Sequence, residues 1–474
     1  MNARYNLWMV LLCAGLLSLT FAACSNDSDE ENKKGQTNET GTLTSVQEEK
    51  EISFDEMVDI AESFDSETAL PEDLDAQAEN INDLIAASQE LAETYSGANG
   101  TYQKNVTFKV VTINYQSVDG EGKPITLSGK LTLPLVNGKY VTIEDIVLSC
   151  HATSIPKDNK GVYSDTFKDM AAYSFAIIDP DYIGFGITYG QPQTYLCQKL
   201  IARNCVDMEL AALEYMKQEG VKLKNGYGTY VTGFSQGGGN ALAVGRHLQE
   251  TPEGREANKS VNVKGLYCGD GPYSPIGTFN HWLKTDSLCL SAVLSMVIKG
   301  QQVGHPDIMR GISLTSYFSE EYLKSGIPQA FDSNDTNNGF ALLLGDASLV
   351  NIRWPEPETM DAYETLISLT TPWMQFSKIM SPEFADPNSH IRTALLQCLE
   401  EERVDDWTPR NMAVEIFTAP RDNVIPVEPN ARAVYEKFRS EGANVTYKEA
   451  GALANHLTAT CAWVTHVKKE LRKL

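Results

Sequence analysis

The chain predicts an α/β fold: a mostly parallel sheet covered on both faces, led by an antiparallel unit and carrying a mostly helical inserted cap. Three observations lead there. Short continuous apolar runs at 145–150, 175–178, 230–232, 261–267 and 413–417 read as strands buried on both faces. Helical patterns lie between them, as at 206–216 with Leu210, Leu213 and Tyr215 inward, and strands alternating with helices mean a parallel sheet. Finally, about 140 residues without a clear strand separate the last two runs, and so long an insertion must carry its own structure. With 474 residues, 42% hydrophobic and 22% charged, the chain is too apolar to be disordered, and it can hold one large domain with an insertion or two to three small ones.

Taken in order, residues 1–23 read as a secretory signal, with Arg4 ahead of an apolar run at 7–19 and small residues before Cys24. Phe21-Ala22-Ala23-Cys24 resembles the lipobox of bacterial lipoproteins, whose cysteine is acylated and becomes the first residue. That resemblance implies that Cys24 carries lipid and that the exported protein is anchored by it. Ser25 after the cysteine implies the outer membrane. The acidic stretch 26–31 resembles surface-export signals and reads equally well as a linker. Residues 24–52, rich in Ser, Asn, Glu, Lys and Thr, are expected to form a disordered tether. Residues 53–100 are expected to be N-terminal helices, because Leu74, Ile81, Leu84, Ile85, Leu91 and Tyr95 recur at helical spacing between Pro71 and Gly97.

The first part of the core, 101–274, opens with apolar stretches at 108–115 and 125–133. They flank Asp119-Gly120-Glu121-Gly122, a strand–turn–strand signal. The cap, 275–409, contains helical patterns at 288–298, 363–380 and 390–403, and is expected over the C-terminal edge of the sheet, where open α/β sheets bind ligands. Residues 410–474 complete the core.

Charge and cysteine content exclude whole classes. Lys+Arg 39 against Asp+Glu 63 gives a net charge of −24, which repels phosphate backbones and argues against nucleic-acid binding. After the first two dozen residues no apolar run reaches membrane-spanning length. Beyond Cys13 and Cys24, seven cysteines remain, at 150, 197, 205, 268, 289, 398 and 461. An odd count without a CxxC pair announces neither a disulfide framework nor a zinc motif, and no cofactor or metal is expected. Cys150 and Cys268 sit in apolar runs and are expected to be buried free thiols.

The sharpest chemical signal is Gly233-Phe234-Ser235-Gln236-Gly237-Gly238, placed after the 230–232 strand and before a helix at 241–249. Strand–turn–helix with serine at the apex is the nucleophile elbow. A serine hydroxyl needs a base, and the base an orienting carboxylate, in the order Ser, Asp/Glu, His. His456 follows a short strand at 444–447 in a loop from which a base can reach a strand edge; His466 lies inside the last helix and reads as structural. Asp422 follows the strand next to the histidine-bearing one and is the expected acid. Asp270, in Cys268-Gly269-Asp270-Gly271, is the rival. Amide donors for an oxyanion are expected from Gln236 and from the loop His151-Ala152-Thr153, where His151 has a positional role.

These residues resemble the motifs of α/β-hydrolase serine esterases: Gly233 through Gly237, Asp422-Asn423-Val424-Ile425-Pro426 and Asn455-His456. More narrowly, Asp181-Tyr182-Ile183-Gly184-Phe185-Gly186, Pro192-Gln193-Thr194-Tyr195 and the long insertion resemble the secretory-lipase group and its bacterial lipoprotein relatives. His151-Ala152-Thr153 departs from the His-Gly common in that group. The resemblance implies a cofactor-free serine hydrolase acting on a small-molecule or polymer-borne carboxylic ester. A prolyl-oligopeptidase-like peptidase uses the same triad order, but the segment before the first core strand is too short for its propeller. A polysaccharide deacylase needs the same machinery, and a surface lipoprotein that binds glycan or lipid without turnover is the alternative from another class.

Overall fold

A computed structural model describes residues 40–63, 71–96, 102–155, 166–333 and 373–474. The signal segment, Cys24 and most of the tether lie outside the described residues, as does the cap stretch 334–372. The strands are β1 (Leu43–Ser53), β2 (Val106–Val118), β3 (Pro124–Val136), β4 (Lys139–Tyr140), β5 (Asp145–Cys150), β6 (Phe175–Pro180), β7 (Thr229–Phe234), β8 (Val263–Gly269), β9 (Ser287–Leu288), β10 (Met374–Gln375), β11 (Ala413–Thr418) and β12 (Val445–Glu449). One sheet runs β1-β2-β3-β6-β5-β7-β8-β11-β12, with β4 beside β3. From β6 to β12 every neighbour is parallel; β1, β2 and β3 form the antiparallel leading unit, joined antiparallel to β6.

Side-chain alternation shows why both faces are covered. Ile146 and Leu148 of β5 enter one core, shared with the helices Gln198–Gln218, Gln236–Glu250 and Ala433–Ser440. Val147 enters the other, shared with Phe54–Ser63, Pro71–Ser96 and the last helix, Ala459–Leu471. The expected N-terminal amphipathic helix thus packs on the body. The β2–β3 turn closes where Asp119 Oδ1 accepts the amides of Glu121 and Lys123, both at 2.9 Å.

Two sequence expectations need correction. Residues 43–53, assigned to the tether up to residue 52, form β1, paired with β2 from Leu43–Tyr115 to Ser53–Thr107. Nearly every β1 side chain is exposed, so no apolar alternation marks it. Backbone pairing holds it instead, aided by Tyr215, whose hydroxyl donates to Glu49 at 2.7 Å. The helical pattern at 363–380 lies largely outside the described residues, and its described end is β10 followed by the short helix Phe376–Ile379, not a continuous helix. Met374 of β10 pairs with Leu288 of β9, and that tertiary pairing overrides local propensity.

The cap follows β8, as expected, and has its own core around Phe279, Trp282, Leu294, Tyr317, Phe384 and Leu395. None of the seven described cysteines is in a disulfide, and all seven are buried. Among the described residues no helix is long and apolar enough to cross a membrane.

Candidate active site

Ser235 sits between β7 and the helix Gln236–Glu250 with φ 56° and ψ −123°, a backbone conformation that costs a non-glycine residue about 1–3 kcal/mol. Neighbouring groups hold it there. Its amide donates to Gly269 O at 2.8 Å, tying the turn to the end of β8. The flanking glycines are steric necessities: a Cβ at Gly233 would lie 2.0 Å from Gly237 O, and one at Gly237 would lie 2.1 Å from Cys150 O. The motif therefore sets the serine at the apex and lets the helix start press against the end of β5.

Two loops at the C-terminal ends of β11 and β12 reach this apex. His456 Nε2 is 2.9 Å from Ser235 Oγ, and His456 Nδ1 is 2.7 Å from Asp422 Oδ2. The other carboxylate oxygen, Asp422 Oδ1, accepts the amides of Val424 at 2.8 Å and Ile425 at 2.7 Å, so the turn that follows Asp422 locks its side chain. Asn455 Oδ1 accepts the amides of Leu457 and Thr458, fixing the backbone on the other side of the histidine. Arg421 N donates to Ala454 O at 3.1 Å and joins the two loops. The Phe234 ring lies beneath the imidazole, centroids 5.3 Å apart.

Electrostatics follow from burial. Burial pulls the His456 pKa down, but the charge and hydrogen bond of Asp422 outweigh it and hold the ring above the ordinary histidine value. Asp270, the rival acid, does not bond the histidine. It accepts from Thr418 Oγ1 at 2.6 Å and from the Ala419 amide at 2.9 Å, bracing the ends of β8 and β11. Burial, then the charge of Asp422, pushes its carboxyl up to about 8. His466, expected to be structural, lies on the last helix and bonds Glu415 of β11 at 2.7 Å.

Gln236 is the first residue of its helix, so its amide has no acceptor within that helix and adds to the positive N-terminal end beside Ser235. The loop 151–155 is held from three sides. His151 is buried and stacks on Tyr182 at 3.8 Å; its Nδ1 meets Ala152 O at 2.8 Å, and burial lowers its pKa to about 4. Tyr182 OH donates to His151 O at 3.3 Å, Gln193 Nε2 donates to Ser154 O at 3.1 Å, and Thr153 Oγ1 bonds Tyr195 OH at 2.9 Å. The segments 181–186 and 192–195 are therefore the frame of this loop, a role that their spacing in the sequence does not reveal. Ala152 is exposed.

A surface cavity of about 700 Å³ lies elsewhere, lined by Lys264, Arg410, Ala413 and Asn444 at the N-terminal ends of β8, β11 and β12, the opposite edge of the sheet from Ser235. Among the described residues, two clusters have donor atoms spaced for a cation. Asp270, Asp422 and His456 are committed to the hydrogen bonds above; Cys197, His305 and Glu402 stand apart, at the junction of core and cap.

The sheet order, the turn at Ser235 and the cap after β8 define the α/β-hydrolase fold. No family model matches the chain, and no curated protein matches it significantly. Solved structures of esterases and lipases do match in fold. LipA of Xanthomonas oryzae, described as a rice cell wall degrading esterase, is 16% identical with a TM-score of 0.59, covering 92% of this chain and 99% of its own. A ligand-bound form of the same esterase gives 16% identity and 0.58 over the same shares. Candida antarctica lipase A in its closed state is 14% identical with a TM-score of 0.51, over 74% of each chain.

Proposed function

We propose that the protein is an exported, lipid-anchored serine hydrolase that cleaves carboxylic esters through an acyl-enzyme. The observation that carries this reading is the unbroken chain Ser235 Oγ–His456–Asp422, at 2.9 and 2.7 Å, on a strained turn at a helix N-terminus. Ser235 Oγ attacks the ester carbonyl while His456 Nε2 takes its proton, and the imidazolium then protonates the leaving alcohol. Asp422 keeps the proton on Nδ1 and stabilises the imidazolium. Water, activated by the same histidine, releases the acid and restores Ser235. The Gln236 amide faces the developing oxyanion together with an amide of the 151–153 loop, each donor worth about 3 kcal/mol. This chemistry needs no cofactor.

The test is labelling with a fluorophosphonate. The wild type is expected to take up one equivalent at Ser235, and Ser235→Ala none; an unlabelled wild type would leave a binding protein on a hydrolase scaffold. Acyl esters of graded chain length, run beside aminoacyl-proline amides, then distinguish esterase from peptidase. A sugar-borne ester is the second reading, favoured by the match to a cell wall degrading esterase over nearly the whole of both chains. Acetylated and feruloylated polysaccharides belong in the same screen. Anchoring through Cys24, with an outer-membrane destination, is tested by fatty-acid incorporation, which Cys24→Ala should abolish.

A further inference from the structure

Three helix ends meet where the core joins the cap. Cys197 immediately precedes the helix Gln198–Gln218, His305 follows the helix Ala292–Gly304, and Glu402 follows the helix His390–Glu401. Their sulfur, nitrogen and oxygen donors all lie within 4.8 Å of one another. One donor comes from the core and two from the cap, and His305 and Glu402 are 97 residues apart, so no local spacing announces them.

Each donor is already aimed. His305 Nε2 lies 2.9 Å from Glu402 Oε1, while its Nδ1 faces Glu401 Oε2 at 3.6 Å. A carboxylate on the outer ring nitrogen is the arrangement that fixes the tautomer of a metal-bound histidine and leaves the inner lone pair for the ion. The second oxygen of Glu402 accepts the Lys199 amide at 3.0 Å, which fixes the carboxylate. The Cys197 thiol donates to Gly300 O at 3.2 Å and lies so near the helix end that a Cβ at Gly304 would stand 2.2 Å from Sγ. Beside it is the fully buried Gln301 amide: Nε2 is 3.7 Å from Sγ, and Oε1 has no partner among the described residues. That nitrogen also donates to Tyr195 O at 3.4 Å, which fixes the amide with its N–H side towards the sulfur.

We propose that Cys197, His305 and Glu402 bind a zinc ion that pins the cap to the core, with a water as fourth donor. Thiolate, imidazole and carboxylate form a zinc donor set. The two anionic ligands offset both charges of the cation while the imidazole stays neutral, so the buried site is electrically balanced. Tetrahedral zinc spaces its donors by roughly 3.3–3.8 Å, so the His305–Glu402 contact opens slightly on binding. A Zn–S bond forms as the Cys197 S–H bond breaks, its proton going to solvent. His305 and Glu402 bind through lone pairs, any proton between them also leaving, and no electron is transferred. The ion can arrive past Glu401, whose side chain is 47% exposed. The inference is independent of the reaction at Ser235.

The test is metal titration of the EDTA-treated, dialysed protein. The wild type is expected to bind one zinc ion per chain and to melt at a higher temperature with it. Cobalt(II) should give a thiolate-to-metal charge-transfer band in the near ultraviolet, with the visible bands of a tetrahedral site. Cys197→Ser should remove that band. Cys197→Ser and Glu402→Gln should each weaken zinc binding more than tenfold, and Glu401→Gln by about tenfold through the loss of its hold on the histidine. A wild type that binds no stoichiometric zinc, or a cobalt complex without the thiolate band, overturns the proposal. So does a Cys197→Ser protein that binds zinc as tightly as the wild type. The wild-type cobalt spectrum decides the matter even where a variant fails to fold.

Discussion

His456 couples the electrostatics of the site to its pH response. In the proposed mechanism attack needs the neutral imidazole, and Asp422 holds that ring's pKa above the ordinary value, so kcat/KM should fall as pH drops through that raised pKa. Asp422→Asn removes the charge: the acid limb should move to lower pH and the rate fall about 10⁴-fold, both read from kcat/KM against pH on a soluble ester. Asp270→Asn should behave differently. Burial and the charge of Asp422 push the Asp270 carboxyl up and favour its neutral form, and an amide can still accept from Thr418 and Ala419. Its kcat/KM is expected within tenfold of the wild type. If this variant loses as much activity as Asp422→Asn, the assignment of the acid fails. The sequence already favoured Asp422 over Asp270, because only Asp422 follows the strand beside the histidine loop. The bracing role of Asp270 was not legible, since it depends on β11 returning beside β8 after the cap.

Elements contribute through close approach. Gly237→Ala drives a methyl group into Cys150 O, so the helix must retreat from the end of β5. A loss of at least 10²-fold in kcat is expected from the displaced Ser235 and Gln236, along with a lower melting temperature. The helix Gln198–Gln218 carries a different tension. Glu209 is fully buried against β7, bonded to Thr229 Oγ1, and burial raises its pKa to about 8. A folded pKa above the unfolded value near 4.3 means that its contribution is full below that value and is lost as pH rises towards 8. Glu209→Gln should therefore flatten the fall in urea midpoint between pH 5 and pH 8 and be the more stable form at pH 8; an unchanged slope would show Glu209 ionised without penalty. Helix and strand existence was legible for most of the core because periodicity follows burial. It failed for β1, whose exposed Glu48, Glu49, Lys50 and Glu51 carry no burial signal.

For the whole molecule, β1 covers the edge of β2 and puts a charged edge strand in its place. Its charged side chains face solvent and its backbone covers β2. Removal of residues 1–39, within the expected signal and tether, should leave a monodisperse protein of unchanged melting temperature. Removal through Ser53 uncovers β2 and should bring self-association, read by size-exclusion chromatography at rising concentration. Equal behaviour of the two truncations would show that β1 adds nothing. The cap has its own core and meets the sheet through the helix ends at Cys197, His305 and Glu402.

By itself the sequence determined the alternation of buried strands and covering helices, the place of the cap and the turn that bears Ser235, because each is written in neighbouring residues through burial period and steric need. The tertiary structure alone decided the distances from Ser235 to His456 and Asp422, the frame that Tyr182, Gln193 and Tyr195 build around the 151–155 loop, and the meeting of Cys197 with His305 and Glu402. Those contacts join residues tens to hundreds of positions apart. They exist only where strand order and the return of the chain after the cap bring separate loops to one edge of the sheet.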